Sequence, residues 1–260
     1  MRLPGGVRLR HTPGVMWPLL LAAGLWAGVQ NALAGGGSFV TLPVLILSGI
    51  DARAANITST IALFPGQVTT GLAGRQLVSG AEGLSFRALF VISLAGGVVG
   101  ALLLLATPAS FFALLLPWLV LAATAIFAWG SFLRRSPQTP QPMSCTSAGV
   151  AQFLIAIYGG YFGGGIGFLM LAALTIAGLP VRAAGATKNV LAGVMNGAAV
   201  LIFAFSRDVH WLAAVILGVG AIAGGLVGAA LLKRVNETAL RIGVVVLGLA
   251  LFAGLLWRGA

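Results

Sequence analysis

The chain has 260 residues, of which 59% are hydrophobic and only 7% charged, against about 25% charged in ordinary soluble domains. So little polar surface excludes a water-soluble globular domain and points to an integral membrane protein with several crossings. The net charge of +11 comes from Lys and Arg placed singly or in pairs at segment ends; this suits headgroup anchoring rather than the clustered patch of a nucleic-acid surface.

Ten apolar segments are predicted, all helical, in two sets of five. The first set covers 17–34, 38–49, 52–74, 85–106 and 109–132. Arg2, Arg8 and Arg10 ahead of it, with Ala32-Leu33-Ala34 behind, imitate a signal peptide and its cleavage site. That apolar run, however, ends directly in the triplet Gly35-Gly36-Gly37, so it is read as a retained first helix. A Pro- and Gln-rich stretch from Arg134 to Pro142 then forms a linker outside the bilayer. The second set covers 146–162, 166–177, 182–205, 209–232 and 237–257. The expected organisation is a first repeat over 16–133, a linker over 134–145 and a second repeat over 146–258.

Evidence for duplication is an ordered series of matches. Gly35–Gly37 recurs as Gly163–Gly165, Gly96-Gly97-Val98-Val99-Gly100-Ala101 as Gly224-Gly225-Leu226-Val227-Gly228-Ala229, and Trp129 as Trp257, all 128 positions on. Between these anchors the offset is 129, pairing Arg53 with Arg182, Thr58 with Thr187 and Gln67 with Asn196. An odd number of segments per half inserts the second half upside down, the outline of an inverted-repeat secondary transporter. The second segment of each half is too short for a full crossing of about 30 Å, so broken or re-entrant helices are expected there, giving eight to ten segments in all.

Catalytic signatures are missing. Asp51, Glu82, Asp208 and Glu237 all fall at segment ends or in loops, and His11 and His210 lie outside the spans without metal-binding company. Cys145 is the single cysteine, which excludes an intrachain disulfide and a thiolate metal cluster. An enzyme is not expected, nor a metal or other cofactor.

Polar groups inside the spans are therefore the candidates for function. Gly35, Gly36, Gly37 and Gly163, Gly164, Gly165 either allow tight helix packing or open helix N-termini, whose N–H groups would meet an anion. Thr58, Ser59 and Thr60 with Gln67 in the third segment, and Lys188 and Asn189 with Asn196 in the eighth, either bond neighbouring helices or line a path. Thr60 with Gln67, and Asn189 with Asn196, are each seven residues apart and share a helical face. Lys188 is the one charge within a span. It either snorkels to the headgroups or stays inward, where a cation suits an anionic substrate. The G-x-x-x-G elements at Gly96–Gly100 and Gly224–Gly228 are read as helix packing alone.

The strings GGGSFVTLPVLILSGIDARAANITSTIA at 35–62, GGGIGFLMLAALTIAGLPVRAAGATKNVLAGVMN at 163–196 and VHWLAAVILGVGAIAGGLVGAALLKRV at 209–235 resemble the sulfite exporter TauE/SafE family of membrane permeases. The resemblance runs from about Leu20 to Trp257 and departs at the loop 75–87 and at Asp208, where the family pattern has Gly. It implies an inverted-repeat transporter, read as an exporter, of sulfite, organosulfonates or related sulfur-containing anions in a bacterial inner membrane. It also implies that the Gly triplets, Thr58-Ser59, Lys188-Asn189 and Asn196 lie near the permeation path. An importer of sulfate or thiosulfate, or a non-transporting membrane assembly factor, remains an alternative.

Overall fold

The computed structural model describes residues 13–33, 36–73, 75–81, 83–133, 144–231 and 237–259. Gly35 and nearly all of the expected linker lie outside them. The described residues form ten α-helices: α1 (Pro13–Leu33), α2 (Ser38–Leu47), α3 (Ala52–Ala73), α4 (Phe86–Ala106), α5 (Ala109–Ala128), α6 (Cys145–Tyr161), α7 (Ile166–Ile176), α8 (Val181–Phe203), α9 (Trp211–Leu231) and α10 (Glu237–Gly259). A 3₁₀ turn (Arg75–Leu77) follows α3, and a π turn (Trp129–Leu133) extends α5. Among the described residues the β-type pairing is one isolated bridge, Ala81 to Leu84. The chain is an all-α membrane protein.

Local chemistry accounts for the helix ends. The Ser85 and Ser144 hydroxyls accept the N–H groups of Ala88 and Ser147, each at 3.2 Å, and so cap α4 and α6. α2 and α7 stop in the same way. Gly49 and Gly178 take positive φ (88° and 92°), and the next N–H reaches back, from Ile50 to Leu45 O at 3.2 Å and from Leu179 to Leu174 O at 3.0 Å. These two helices have 10 and 11 residues. At 1.5 Å per residue they are about 15–17 Å long, half of a bilayer core.

Outward faces are as apolar as the interior. Leu201 and Leu226 are each 70% exposed and Leu114 67%. Such a surface would aggregate in water and is the ordinary lipid-facing one in a membrane. Among the described residues four helical stretches are long and apolar enough to cross: Phe86–Ala106, Ala109–Ala128, Arg182–Phe203 and Trp211–Gly228. Phe39, Phe112, Phe127, Phe162 and Phe203 fill the interior.

The main packed pairs are α1 with α9, α4 with α6, α3 with α8 and α9, α4 with α8, and α5 with α10. Glycine sets the closest of these. A Cβ at Gly28 would meet Ala221 O and lie 2.7 Å from Gly225 N; one at Gly100 would lie 2.8 Å from Tyr161 N. Backbone touches backbone in both seams, and Gly96 and Gly224 join them, as helix-packing glycines.

Contacts also define the two ends of the bundle. At one, Arg53 at the start of α3 meets Thr107 O and the Asp208 carboxylate, both at 2.8 Å, and the His210 N–H donates to Thr58 Oγ1 at 3.2 Å. At the other, Thr187 Oγ1 accepts from the Ser79 N–H and donates to Ser79 O, each at 3.1 Å, and Gly83 abuts Cys145.

Candidate functional site

A cleft of about 90 Å³ lies where the two helix breaks face each other across α3 and α8. Asn31 at the end of α1 and Gly36 and Ser38 at the start of α2 form one wall. Gly163, Gly165, Ile166 and Gly167, at the start of α7, form the opposite wall. α3 contributes Gly66, Gln67 and Thr70, and α8 contributes Lys188, Asn189 and Ala192. The volume equals a few waters at roughly 30 Å³ each, which suits a small oxyanion.

The cleft is electropositive for three reasons. Its wall includes the first turn of α7, whose N–H groups have no acceptor within the helix. Gly165 makes this turn possible: its φ of 74° is a left-handed conformation that costs other residues about 1–2 kcal/mol. Lys188 is turned inward over the same turn, such that a Cβ at Gly167 would sit 3.4 Å from its Nζ. None of the lining residues is acidic. Two positive features thus share a small space with no internal counter-charge, an arrangement that a bound anion would stabilise.

Neutral donors complete the lining. Asn196 Nδ2 donates to Gln67 Oε1 at 2.7 Å, so the oxygen of the Gln67 amide is engaged and its amino group remains available to the cleft. Asn196 is buried, 2% exposed, and its Oδ1 has no partner. It stands behind the lining and orients Gln67. These two amides are the pair matched in sequence at the 129-residue offset.

The other candidates are placed as follows. The Gly37 N–H is taken by Asn31 Oδ1 at 2.7 Å, so the start of α2 is already capped by the protein. Gly164 is buried against the Phe162 ring. Thr58 and Ser59 are buried away from the cleft: Thr58 accepts from His210, and the Ser59 and Thr41 hydroxyls are 2.5 Å apart. Thr60 bonds Asn56 O at 2.9 Å in its own helix. The structure therefore brings together Gly36, Gln67, Gly163, Gly165, Lys188 and Asn189, and leaves the Thr58–Thr60 cluster below them. Sequence reasoning missed Asn31, Ser38 and Thr70. Thr70 had a signal, being three residues after Gln67 on the same helical face. Asn31 had none, since its counterpart at the repeat offset is Gly159.

Comparison with known proteins places the chain in a family. Residues 20–255 match the family described as Sulfite exporter TauE/SafE. A probable membrane transporter protein, ORF9, of a Sinorhizobium species is 32% identical over 216 residues, covering 80% of each chain. A probable membrane transporter protein of Haemophilus influenzae is 27% identical over 243 residues, covering 92% of this chain and 94% of its own. The probable membrane transporter protein YfcA of Escherichia coli K12 is 26% identical over 248 residues, covering 92% of this chain and 91% of its own. No solved structure matches. The chain, an integral protein of the bacterial inner membrane, belongs to the sulfite exporter TauE/SafE family of membrane transporters.

Proposed function

We propose that this transporter exports small sulfur-containing anions, sulfite or small organosulfonates, and binds them in the cleft between α3, α7 and α8. The observation that carries the reading is the convergence of Lys188 and the uncapped start of α7 on a cleft with no acidic residue in its lining. Lys188 supplies the counter-charge, the α7 N–H groups and Asn189 donate hydrogen bonds, and Gln67 presents its amino group under the control of Asn196. Gly36, Gly163 and Gly165 let the chain come close to the ligand. With a negative cell interior, export of each net negative charge gains about 2.3 kcal/mol per 100 mV, so efflux needs no ion partner.

The same proposal includes two oppositely inserted repeats working by alternating access. Swapping each helix for the one five places on exchanges α1–α9 with α6–α4, α3–α9 with α8–α4, and α2–α10 with α7–α5, all of them packed pairs. Contacts at the ends support inversion, since α3 starts beside the α8–α9 turn and α8 starts beside the α3–α4 connector.

Flux in proteoliposomes tests the reading. Sulfite should move saturably, faster when the potential drives anions toward the trans side, and a small sulfonate should compete. Absence of sulfite and sulfonate flux in protein that keeps its gel-filtration profile would refute it. Uptake against the potential would instead assign an importer.

A further inference from the structure

The Arg53–Asp208 ion pair lies at one end of the bundle and takes no part in the cleft. The cleft occupies one half of the bundle only. Its α3 lining begins at Gly66 and its α8 lining ends at Ala192, so its mouth faces the end where Thr187 holds Ser79. Toward the opposite end α3 and α8 are packed shut: every α3 residue from Ala54 to Ser59 is buried, as are Ala199 and Phe203 of α8, and the groove at that end lies outside them, between α1, Ser48–Ile50 and the start of α9. Yet α3 carries a polar stripe through this closed region. Arg53, Asn56, Thr60 and Gln67 are spaced three, four and seven residues apart, which places them on one helical face over about 21 Å. Asn56 Nδ2 donates to Tyr161 O at 3.1 Å, and Tyr161 OH to Thr107 Oγ1 at 3.3 Å.

The stripe ends at Arg53. Its guanidinium is held by Thr107 O and by the Asp208 carboxylate, both at 2.8 Å, and its Nε is buried with no partner. Asp208 sits in the α8–α9 turn, whose other tie to α3 is the bond from the His210 N–H to Thr58. We propose that Arg53 and Asp208 form the gate of the transport path on the face opposite the cleft's mouth, and that Arg53, once freed from Asp208, is the residue that meets the anion there. The Asp208 carboxylate holds the guanidinium through one oxygen while the path is shut, and an arriving oxyanion offers it the same charge-assisted hydrogen bonding, with Nε free to add a second. The proposal rests on the transport reading and adds to it a second anion station and the side that is closed in this state.

The test uses the full chain in the Cys145→Ser background with Thr60→Cys placed midway along the stripe. Inverted and right-side-out membrane vesicles present the two faces separately to a membrane-impermeant sulfonated methanethiosulfonate. With the ion pair intact, labelling should come from the cleft-mouth face. Asp208→Asn and Arg53→Gln should each raise labelling from the gate face at least tenfold, and Asp208→Glu should leave it near the parent rate. The two opening variants must then diverge in sulfite flux measured from the gate face. Arg53→Gln should raise KM at least tenfold, whereas Asp208→Asn, which keeps the guanidinium, should not raise it. Gate-face labelling unchanged in both variants, in protein with normal gel-filtration profiles, would overturn the gate. Equal KM shifts in the two would reduce the pair to a structural tie. If the parent carries no sulfite, the transport reading falls, and the labelling alone decides whether the pair is a gate.

Discussion

The two helix breaks share a glycine triplet yet do different work. At the first, Asn31 caps α2 through the Gly37 N–H, and Ser59, matched to Lys188 at the 129-residue offset, is tied up with Thr41. At the second, the position matching Asn31 is Gly159, the N-cap Gly165 has no side-chain cap bond, and Lys188 stands over the turn. One helix start is satisfied internally; the other has no side-chain cap. On the proposed reading, two matched glycine breaks need not give two binding sites, because the offset positions differ in the few residues that carry charge or capping.

Substitutions at matched positions probe that contrast. Lys188→Ala should weaken sulfite binding by a hundredfold or more, in line with about 3–5 kcal/mol for leaving a buried charge without its partner. Ligand-dependent thermal shifts in detergent would measure it. Gly165→Ala should lower thermal stability by about 2–3 kcal/mol, because it combines left-handed strain with a Cβ 2.9 Å from that of Ala123. Gly193→Ala in α8, where a Cβ meets nothing within 4 Å, should be neutral or gain up to about 1 kcal/mol. Asn196→Ala and Gln67→Ala should each weaken sulfite binding about tenfold, roughly 1–2 kcal/mol per lost oriented donor, and the double variant should add little to either. At the first break, Asn31→Ala should cost about 1 kcal/mol of stability, as for a lost N-cap. Ser59→Ala, smallest of all, should leave sulfite affinity within about threefold, given roughly 0.6 kcal/mol for a typical interhelical bond.

Hydropathy and punctuation made the ten helices legible. Of all the boundaries, the start of α1 and the end of α5 moved most, at 13 rather than 17 and at 128 rather than 132, the latter where a π turn carries the helix on. The positive-φ stops at Gly49 and Gly178 came from the structure, whereas the triplets already announced where the short helices start. Lys188 was legible because a lone cation inside a span has few places to go. The direction of the Thr58–Thr60 cluster was not, since a buried hydroxyl satisfies itself equally well on a neighbouring helix or along a path. A shared face did not bring Thr60 to the cleft with Gln67, because the cleft stops at Gly66. The link from Arg53 to Asp208 joins distant parts of the chain, and no local spacing foretells it.

Selenite, a heavier homologue of sulfite, allows the site to be located directly. Anomalous diffraction from crystals of the full chain soaked in selenite should give a selenium peak between Lys188 Nζ and the first turn of α7, within hydrogen-bonding reach of Gln67. A peak elsewhere along the chain, or an empty cleft at saturating selenite, would contradict the account.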